Sequence, residues 1–152
     1  MISILKTTAA HPGFIQLVAL LDNELAARDG AEHSFYAAFN TSATIQHAVI
    51  VMDDLLPLAC GAFKPYDSIT VEIKRMYVME KERKRGLAAM VLKELETWAA
   101  SLQYTHCILE TGLRQPEAIA LYKKCGYTII PNYGQYQGIE NSVCMKKSLT
   151  AN

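Results

Sequence analysis

The sequence predicts a mixed α/β domain with a mostly antiparallel sheet and helices on both of its faces. Its first half holds short strand-like apolar runs separated by brief turns, and its second half alternates helical and strand-like periodicities. A length of 152 residues supports one hydrophobic core. We therefore expect a single domain over residues 1–152, with the element order β-α-α-β-β-β-α-β-α-β-β.

The chain is expected to open with a strand over residues 2–7 and a helix over about 12–28. Pro12 suits the first turn of that helix, and Asp29-Gly30 ends it. A shorter helix is predicted over about 31–39. One face of the first helix carries the apolar residues Phe14, Leu17, Val18, Leu21 and Leu25.

Three strands are predicted next, over residues 48–52, 57–63 and 68–79. The breaks between them are short and contain Asp or Pro, which favours turns. Short breaks join antiparallel neighbours, so these strands should form a meander.

The second half begins with an amphipathic helix over about 85–102, followed by a wholly apolar strand at 107–109. Pro116 then opens a helix that Gly126 closes in the left-handed conformation favoured at helix ends. Two final strands are expected near 127–131 and 139–147. The helix over about 85–102 should bury Leu87, Val91, Leu95, Trp98 and Leu102.

Composition makes several classes of function unfavourable. Fifteen basic residues balance fifteen acidic ones, whereas nucleic-acid binders usually carry a basic excess. No apolar run approaches the roughly 20 residues that span a bilayer, and Met1–Thr8 lacks the features of a secretory signal. We expect a cytoplasmic protein that binds neither nucleic acid nor membrane. Its four cysteines and four histidines lack ligand spacing, so no metal site is expected.

The segment from Arg83 to Ala88 lies where a strand should become a helix. Gly86 lets the backbone approach a ligand closely, and the first turn of the helix offers unpaired N–H groups and the positive end of a dipole. These features suit a pyrophosphate. The alternative is a solvated charge run.

A second motif, Gln115-Pro-Glu-Ala-Ile-Ala-Leu-Tyr-Lys-Lys-Cys-Gly-Tyr127, follows at a suitable distance. Together the two motifs, with a helix and a strand between them, resemble those of the GCN5-related N-acetyltransferase (GNAT) family. Gln115 departs from the family's Asn. The resemblance implies that acetyl-CoA is the co-substrate, and that its pyrophosphate lies on the glycine loop.

The resemblance also implies roles for individual residues. Tyr122 occupies the place of the family's general acid, which assists the departing thiolate, while the backbone of Val78 pairs with the pantetheine arm. The residues expected to contact the coenzyme are Tyr77, Val78, Arg83, Lys84, Arg85, Gly86, Leu87, Ala88, Gln115, Ala118 and Tyr122.

A carboxylate is needed to take the proton from an acceptor amine. Glu72 matches the position of the base in histone-acetylating members, although an ion pair with Lys74 or Arg75 is an alternative role. Glu110, at the end of a buried strand, is the rival base. Tyr133 and Tyr136 are expected to border the acceptor. The alternative is an ordinary hairpin in which both tyrosines cover the edge of the core.

The sequence therefore predicts an acetyl-CoA-dependent N-acetyltransferase that acts on a small-molecule or peptide amine by direct transfer in a ternary complex. A covalent acetyl-Cys125 is the less favoured route, because no histidine base stands beside it. A non-catalytic acyl-CoA-binding module is the alternative function. A homodimer is possible.

Overall fold

The computed structural model describes residues 1–29 and 44–149, which form seven strands and three α-helices. Two short 3-10 turns, Glu80–Glu82 and Gly134–Tyr136, lie between these elements. The predicted element order is confirmed in these residues, and the predicted short helix over about 31–39 lies outside them. The elements are β1 Ile2–Thr7, α1 Pro12–Asp29, β2 His47–Asp53, β3 Leu56–Pro65, β4 Thr70–Val78, α2 Leu87–Ser101, β5 His106–Gly112, α3 Pro116–Lys124, β6 Thr128–Ile130 and β7 Ser142–Ser148.

The strands form one sheet in the order β1-β2-β3-β4-β5-β7-β6. The predicted meander is confirmed, because β2, β3 and β4 pair antiparallel with their neighbours in sequence. β4 and β5 pair parallel, since α2 carries the chain back across the sheet before β5 begins. Helices therefore cover both faces of a mostly antiparallel sheet, as expected.

Each face of the sheet has its own apolar core. α2 packs against one face through Val91, Leu95 and their neighbours, while α1 packs against the other through Phe14 and Leu17. The predicted buried face of α2 is confirmed except at its end. Leu102 is 44% exposed, because it is the C-cap residue that follows the helix, and Trp98 is only partly buried.

A β-bulge in β4 sets the geometry of the cleft described below. The register shifts opposite Gly61, so that both Arg75 and Met76 face this one residue of β3. Arg75 has a left-handed backbone, with φ of 60°. A Cβ on Gly61 would lie 2.4 Å from the Met76 sulfur, so a side chain there would displace Met76.

β4 and β5 pair over only three residues each in the described structure, from Thr70 to Glu72 and from His106 to Ile108. Beyond Glu72 the two strands diverge. The bulge lies on the diverging part of β4, and α1 and α3 flank the opening. The sheet therefore contains a cleft at the boundary between its two antiparallel portions.

Candidate active site

The cleft contains two adjoining compartments. The loop compartment, of about 330 Å³, lies beside the Arg83–Gly86 turn and the start of α2. The strand compartment, of about 120 Å³, lies between the diverging ends of β4 and β5. Both are lined by Leu21, Met76, Gln115, Ala118 and Tyr122. A ligand in one compartment would therefore meet a ligand in the other at these shared residues.

The backbone of the loop compartment suits an anion. Gly86 is the N-cap of α2, its φ is 78°, and a Cβ built there would meet nothing within 4 Å. No side chain caps this helix, so its first N–H groups are open to a ligand. Lys84 also has a positive φ of 67°, and turns of this kind direct successive N–H groups toward one point.

Arg83 ties the loop to α1 and β4. Its guanidinium donates hydrogen bonds to both Glu24 carboxylate oxygens, at 3.0 and 2.9 Å, and its Nε donates to the Val78 carbonyl at 3.0 Å. The guanidinium also lies over the Tyr77 ring, 5.5 Å from its centroid. The hydrogen bonds to Glu24 raise the pKa of Arg83. These bonds use three of its five N–H groups, so a phosphate contact by this side chain would share the guanidinium with Glu24.

Val78 directs its backbone into the cleft. Its neighbour Met79 donates to the Leu58 carbonyl at 2.9 Å, while Val78 pairs with Ala59. Hydrogen-bonding direction alternates along an antiparallel strand, so the Val78 N–H points away from β3. Since Arg83 occupies its carbonyl, the predicted backbone contact of Val78 with a ligand depends on the N–H.

Four further charged residues line the loop compartment: Glu24 and Arg28 of α1, Glu82 of the 3-10 turn and Glu117 of α3. Arg28 pairs with Glu24 at 3.6 Å and also with Glu117. None of the four was predicted from the sequence, because single charged positions on a helix or turn carry no signal of their own.

The strand compartment is lined by buried charges. Glu72, Lys74 and Arg75 come from β4 and are only 3%, 7% and 5% exposed. Glu110 of β5 and the buried Tyr136 also line it, together with the polar residues Thr111, Gln115 and Asn141. Sequence reasoning treated Lys74 and Arg75 only as possible partners of Glu72, and it missed them as lining residues.

Hydrogen bonds hold both carboxylates in place. The Tyr133 hydroxyl donates to Glu72 Oε2 at 2.8 Å, and the Ser142 hydroxyl donates to Glu110 Oε2 at 2.7 Å. Burial and the adjacent Glu72 raise the pKa of Tyr133, so its hydroxyl stays a donor. The Tyr133 ring packs edge-on against Tyr136, with centroids 5.7 Å apart.

Lys74 and Arg75 differ in their surroundings. Burial lowers the pKa of Lys74, although Glu72 and Glu110 oppose this shift. The Arg75 Nη2 atom lies 2.5 Å from Asp22 Oδ1, and its Nε is buried with no hydrogen-bond partner in the described residues.

Tyr122 lies where the compartments meet. α3 presents its side chain to both of them, and the residue is 7% exposed. Burial raises the pKa of its phenol, with smaller contributions from Cys125 and Glu110. The hydroxyl is therefore a proton donor throughout the physiological pH range. Its ring packs against Tyr127, with centroids 5.9 Å apart.

The four cysteines are free thiols. Burial raises the pKa of Cys125, which disfavours the thiolate that a nucleophile needs. Within residues 1–29 and 44–149, no group of three or more His, Cys, Asp or Glu side chains could hold a metal ion. The helices of the same residues are too short or too polar to cross a membrane.

The structure brings most of the predicted site residues to this cleft. Arg85 is not among the lining residues and pairs with Glu82, whereas Tyr133 reaches the strand compartment through Glu72. Glu72, Glu110 and Tyr136 line the strand compartment. The predicted coenzyme residues that line the loop compartment are Tyr77, Val78, Arg83, Lys84, Gly86, Leu87, Ala88, Gln115, Ala118 and Tyr122.

The sheet opens between β4 and β5 beside the uncapped start of α2. This arrangement can hold an anionic ligand next to a buried polar compartment. The Acetyltransferase (GNAT) family model matches residues 14–127. The chain therefore belongs to this family, and the predicted family, fold and acyltransferase class are confirmed.

Known proteins resemble the chain in sequence and in fold. It is 26% identical to the IAA acetyltransferase of Azospirillum brasilense over 97% of the chain and 98% of that protein. It is 36% identical to Probable N-acetyltransferase 14 of Xenopus tropicalis over 54% of the chain, which spans only 39% of that protein. A Klebsiella pneumoniae crystal structure named as an acyl-CoA N-acyltransferase has a TM-score of 0.81 and 29% identity, with 98% of each chain covered.

Proposed function

We propose that the chain is an acetyl-CoA-dependent N-acetyltransferase that moves the acetyl group directly to a primary amine in a ternary complex. The observation that carries this proposal is the meeting of two compartments at Tyr122. One compartment suits a phosphate-bearing donor, and the other holds carboxylates that suit an amine. Both substrates can therefore be bound at once.

Acetyl-CoA is proposed to bind with its pyrophosphate on the Arg83–Gly86 turn. The open N–H groups of α2 and the absence of obstruction above Gly86 support this placement. The Lys84 side chain adds positive charge at the same surface. The N–H of Val78 would then donate to the thioester region, where it would stabilise negative charge on the carbonyl oxygen as the amine attacks.

The proposed reaction needs one proton acceptor and one proton donor. The amine nitrogen forms a bond to the acetyl carbon, and the carbon–sulfur bond breaks to release the CoA thiolate. Glu72 is proposed to take the amine proton, directly or through water, and Tyr122 to donate to the thiolate. The hydrogen bond from Tyr133 fixes the Glu72 carboxylate and supports this role.

Glu110 remains the alternative base. It lines the same compartment, and it lies on β5 beyond the last residue that pairs with β4. Burial is the main cause that raises the pKa of Tyr122, and the charge of Glu110 adds to this shift. Substitution of each carboxylate in turn distinguishes the two candidate bases.

A non-catalytic acyl-CoA-binding module is the second candidate function. Such a module would need the loop compartment alone. The buried Glu72 and the half-buried Glu110 favour the enzyme, because burying charged groups costs free energy and a module that only binds acyl-CoA would not need them.

Release of the CoA thiol from acetyl-CoA in the presence of an amine panel tests the proposal. The mass of the product must increase by one acetyl group. Acetyl-CoA binding without amine-dependent release would instead support the binding module. A cytoplasmic location and a homodimer stay predictions.

A further inference from the structure

We propose that the acceptor is a small amine that carries a carboxylate in the same molecule, as a free amino acid does. This inference rests on the proposed function and names the substrate class of the strand compartment. Its basis is the pairing of the buried Glu72 and the half-buried Glu110 with two buried cations around one small cavity.

The first observation is the charge balance of the lining. Glu72 and Glu110 face the compartment together with Lys74 and Arg75. The charges of two neighbouring side chains outside the compartment also cancel each other. Lys64 lies 4.0 Å from Glu72, and Asp22 lies 2.5 Å from Arg75.

An acceptor with an ammonium group alone would add an unbalanced charge to this buried set, which costs free energy. A zwitterion leaves the balance unchanged. Its ammonium and carboxylate groups also complement both signs of lining charge.

The second observation concerns Arg75. It is the extra residue of the β4 bulge, has a φ of 60°, and is 5% exposed. A left-handed backbone is strained at a residue other than glycine, and such strain is concentrated at functional sites.

The hydrogen bonds of Arg75 are also incomplete. Its Nε is buried without a partner in the described residues, and its partner Asp22 is 51% exposed. A planar guanidinium matches the two oxygens of a carboxylate. An acceptor carboxylate would supply the hydrogen-bond acceptor that the Arg75 Nε lacks among the described residues.

The third observation is size. The strand compartment measures about 120 Å³, against about 330 Å³ for the loop compartment. That space suits an acceptor with few heavy atoms. A peptide N terminus fits less well, because its α-carboxyl group is an amide and carries no charge for Lys74 or Arg75.

The test compares acceptors in matched sets: an amino acid, its amide, and the corresponding amine without a carboxyl group. CoA release is measured for each, with kcat/KM expressed per concentration of unprotonated amine. We expect the amino acids to be preferred roughly 10- to 100-fold, as one charge-assisted contact allows. Equal values, or preference for the uncharged members, would overturn this inference and leave the proposed function intact.

Two variants sharpen the test. Lys74→Gln should reduce the preference for the carboxylate by raising KM for the amino acid more than KM for its amide. Lys64→Gln removes a cation that also lies near Glu72 but does not line the compartment, and it should keep the preference. An undiminished preference in Lys74→Gln and in Arg75→Lys would also contradict the inference. No release with any member of any set would overturn the proposed function, and this inference with it.

Discussion

The loop compartment and the strand compartment adjoin, yet they are built in different ways. The anion-binding character proposed for the loop compartment comes from consecutive backbone groups between Arg83 and Ala88. The strand compartment depends on side chains from β4, β5, α1 and the Gly134–Tyr136 turn, which are far apart in sequence. The first is a local property of the chain, and the second exists only once the sheet has formed.

This difference predicts how each compartment responds to substitution. A backbone cradle tolerates changes in its charged side chains but not a new side chain that fills the cradle. A compartment of side chains changes its chemistry with each substituted residue. Such substitutions should leave donor binding in the loop compartment unaffected. The four predictions below test this contrast, beginning with the largest effect.

Gly86→Glu should abolish acetyl-CoA binding while the protein stays folded. The new side chain would place bulk and negative charge in the open space above the start of α2. Titration calorimetry with acetyl-CoA measures the loss. Gly138→Glu is the matched control, because Gly138 also has a φ of 78° and open space around it, but lies away from α2. Near-normal affinity of Gly86→Glu for acetyl-CoA would show that the pyrophosphate does not bind on this loop.

Tyr122→Phe should lower kcat by about 10²- to 10⁴-fold, the usual range for general acid catalysis, with little change in acetyl-CoA affinity. Because burial raises the pKa of this phenol, wild-type kcat should show no loss of the acid below pH 10. Rapid-quench or steady-state kinetics over pH 7–10 provides the measurement.

Tyr127→Phe is the control for that prediction. Tyr127 contacts the Tyr122 ring, but its hydroxyl donates to the buried Glu96 at 2.9 Å. Its loss should reduce the free energy of unfolding by about 1–3 kcal/mol and leave kcat near the wild-type value. A kcat for Tyr122→Phe equal to wild type would make Tyr122 a packing residue.

Glu72→Gln should lower kcat/KM most at neutral pH, by roughly 10²-fold for loss of a general base. The defect should shrink as pH rises, because a larger fraction of the amine is then unprotonated. pH–rate profiles of Glu72→Gln and Glu110→Gln decide between the two carboxylates. If the pH-dependent defect occurs in Glu110→Gln alone, Glu110 is the base.

Tyr133→Phe should give the smallest effect, a several-fold rise in KM for the amine. The substitution removes the 2.8 Å hydrogen bond that holds Glu72 and leaves the ring in place. KM for acetyl-CoA should not change, since Tyr133 does not line the loop compartment. Steady-state kinetics with each substrate varied in turn measures both KM values. A change confined to KM for acetyl-CoA would mean that Tyr133 does not act on the acceptor side.

The fold was largely predictable because its signals are local. Helical periodicity located α1, α2 and α3, and the short breaks around Asp53 and Pro65 predicted the antiparallel meander. The Gly86 turn was predictable for the same reason. By contrast, the β4 bulge was invisible, because it arises from pairing with Gly61, a residue far away in sequence.

The strand compartment shows the same limit. Its predicted residues Glu72 and Glu110 came from a family resemblance and from their places on strands. In the sequence, the neighbouring Lys74 and Arg75 resemble ordinary charged strand residues. The bulge and the divergence of β5 place them in the cleft, and neither feature is visible in the sequence. Arg83 shows the converse, because its basic side chain indicated phosphate but is bound to Glu24.

Initial rates of CoA release, with acetyl-CoA and amine varied together, test most directly the claim that both compartments are filled at once. A ternary complex predicts double-reciprocal plots that intersect, and no acetyl group on the protein after incubation with acetyl-CoA alone. Parallel plots, together with a protein mass increased by one acetyl group that Cys125→Ala abolishes, would contradict direct transfer.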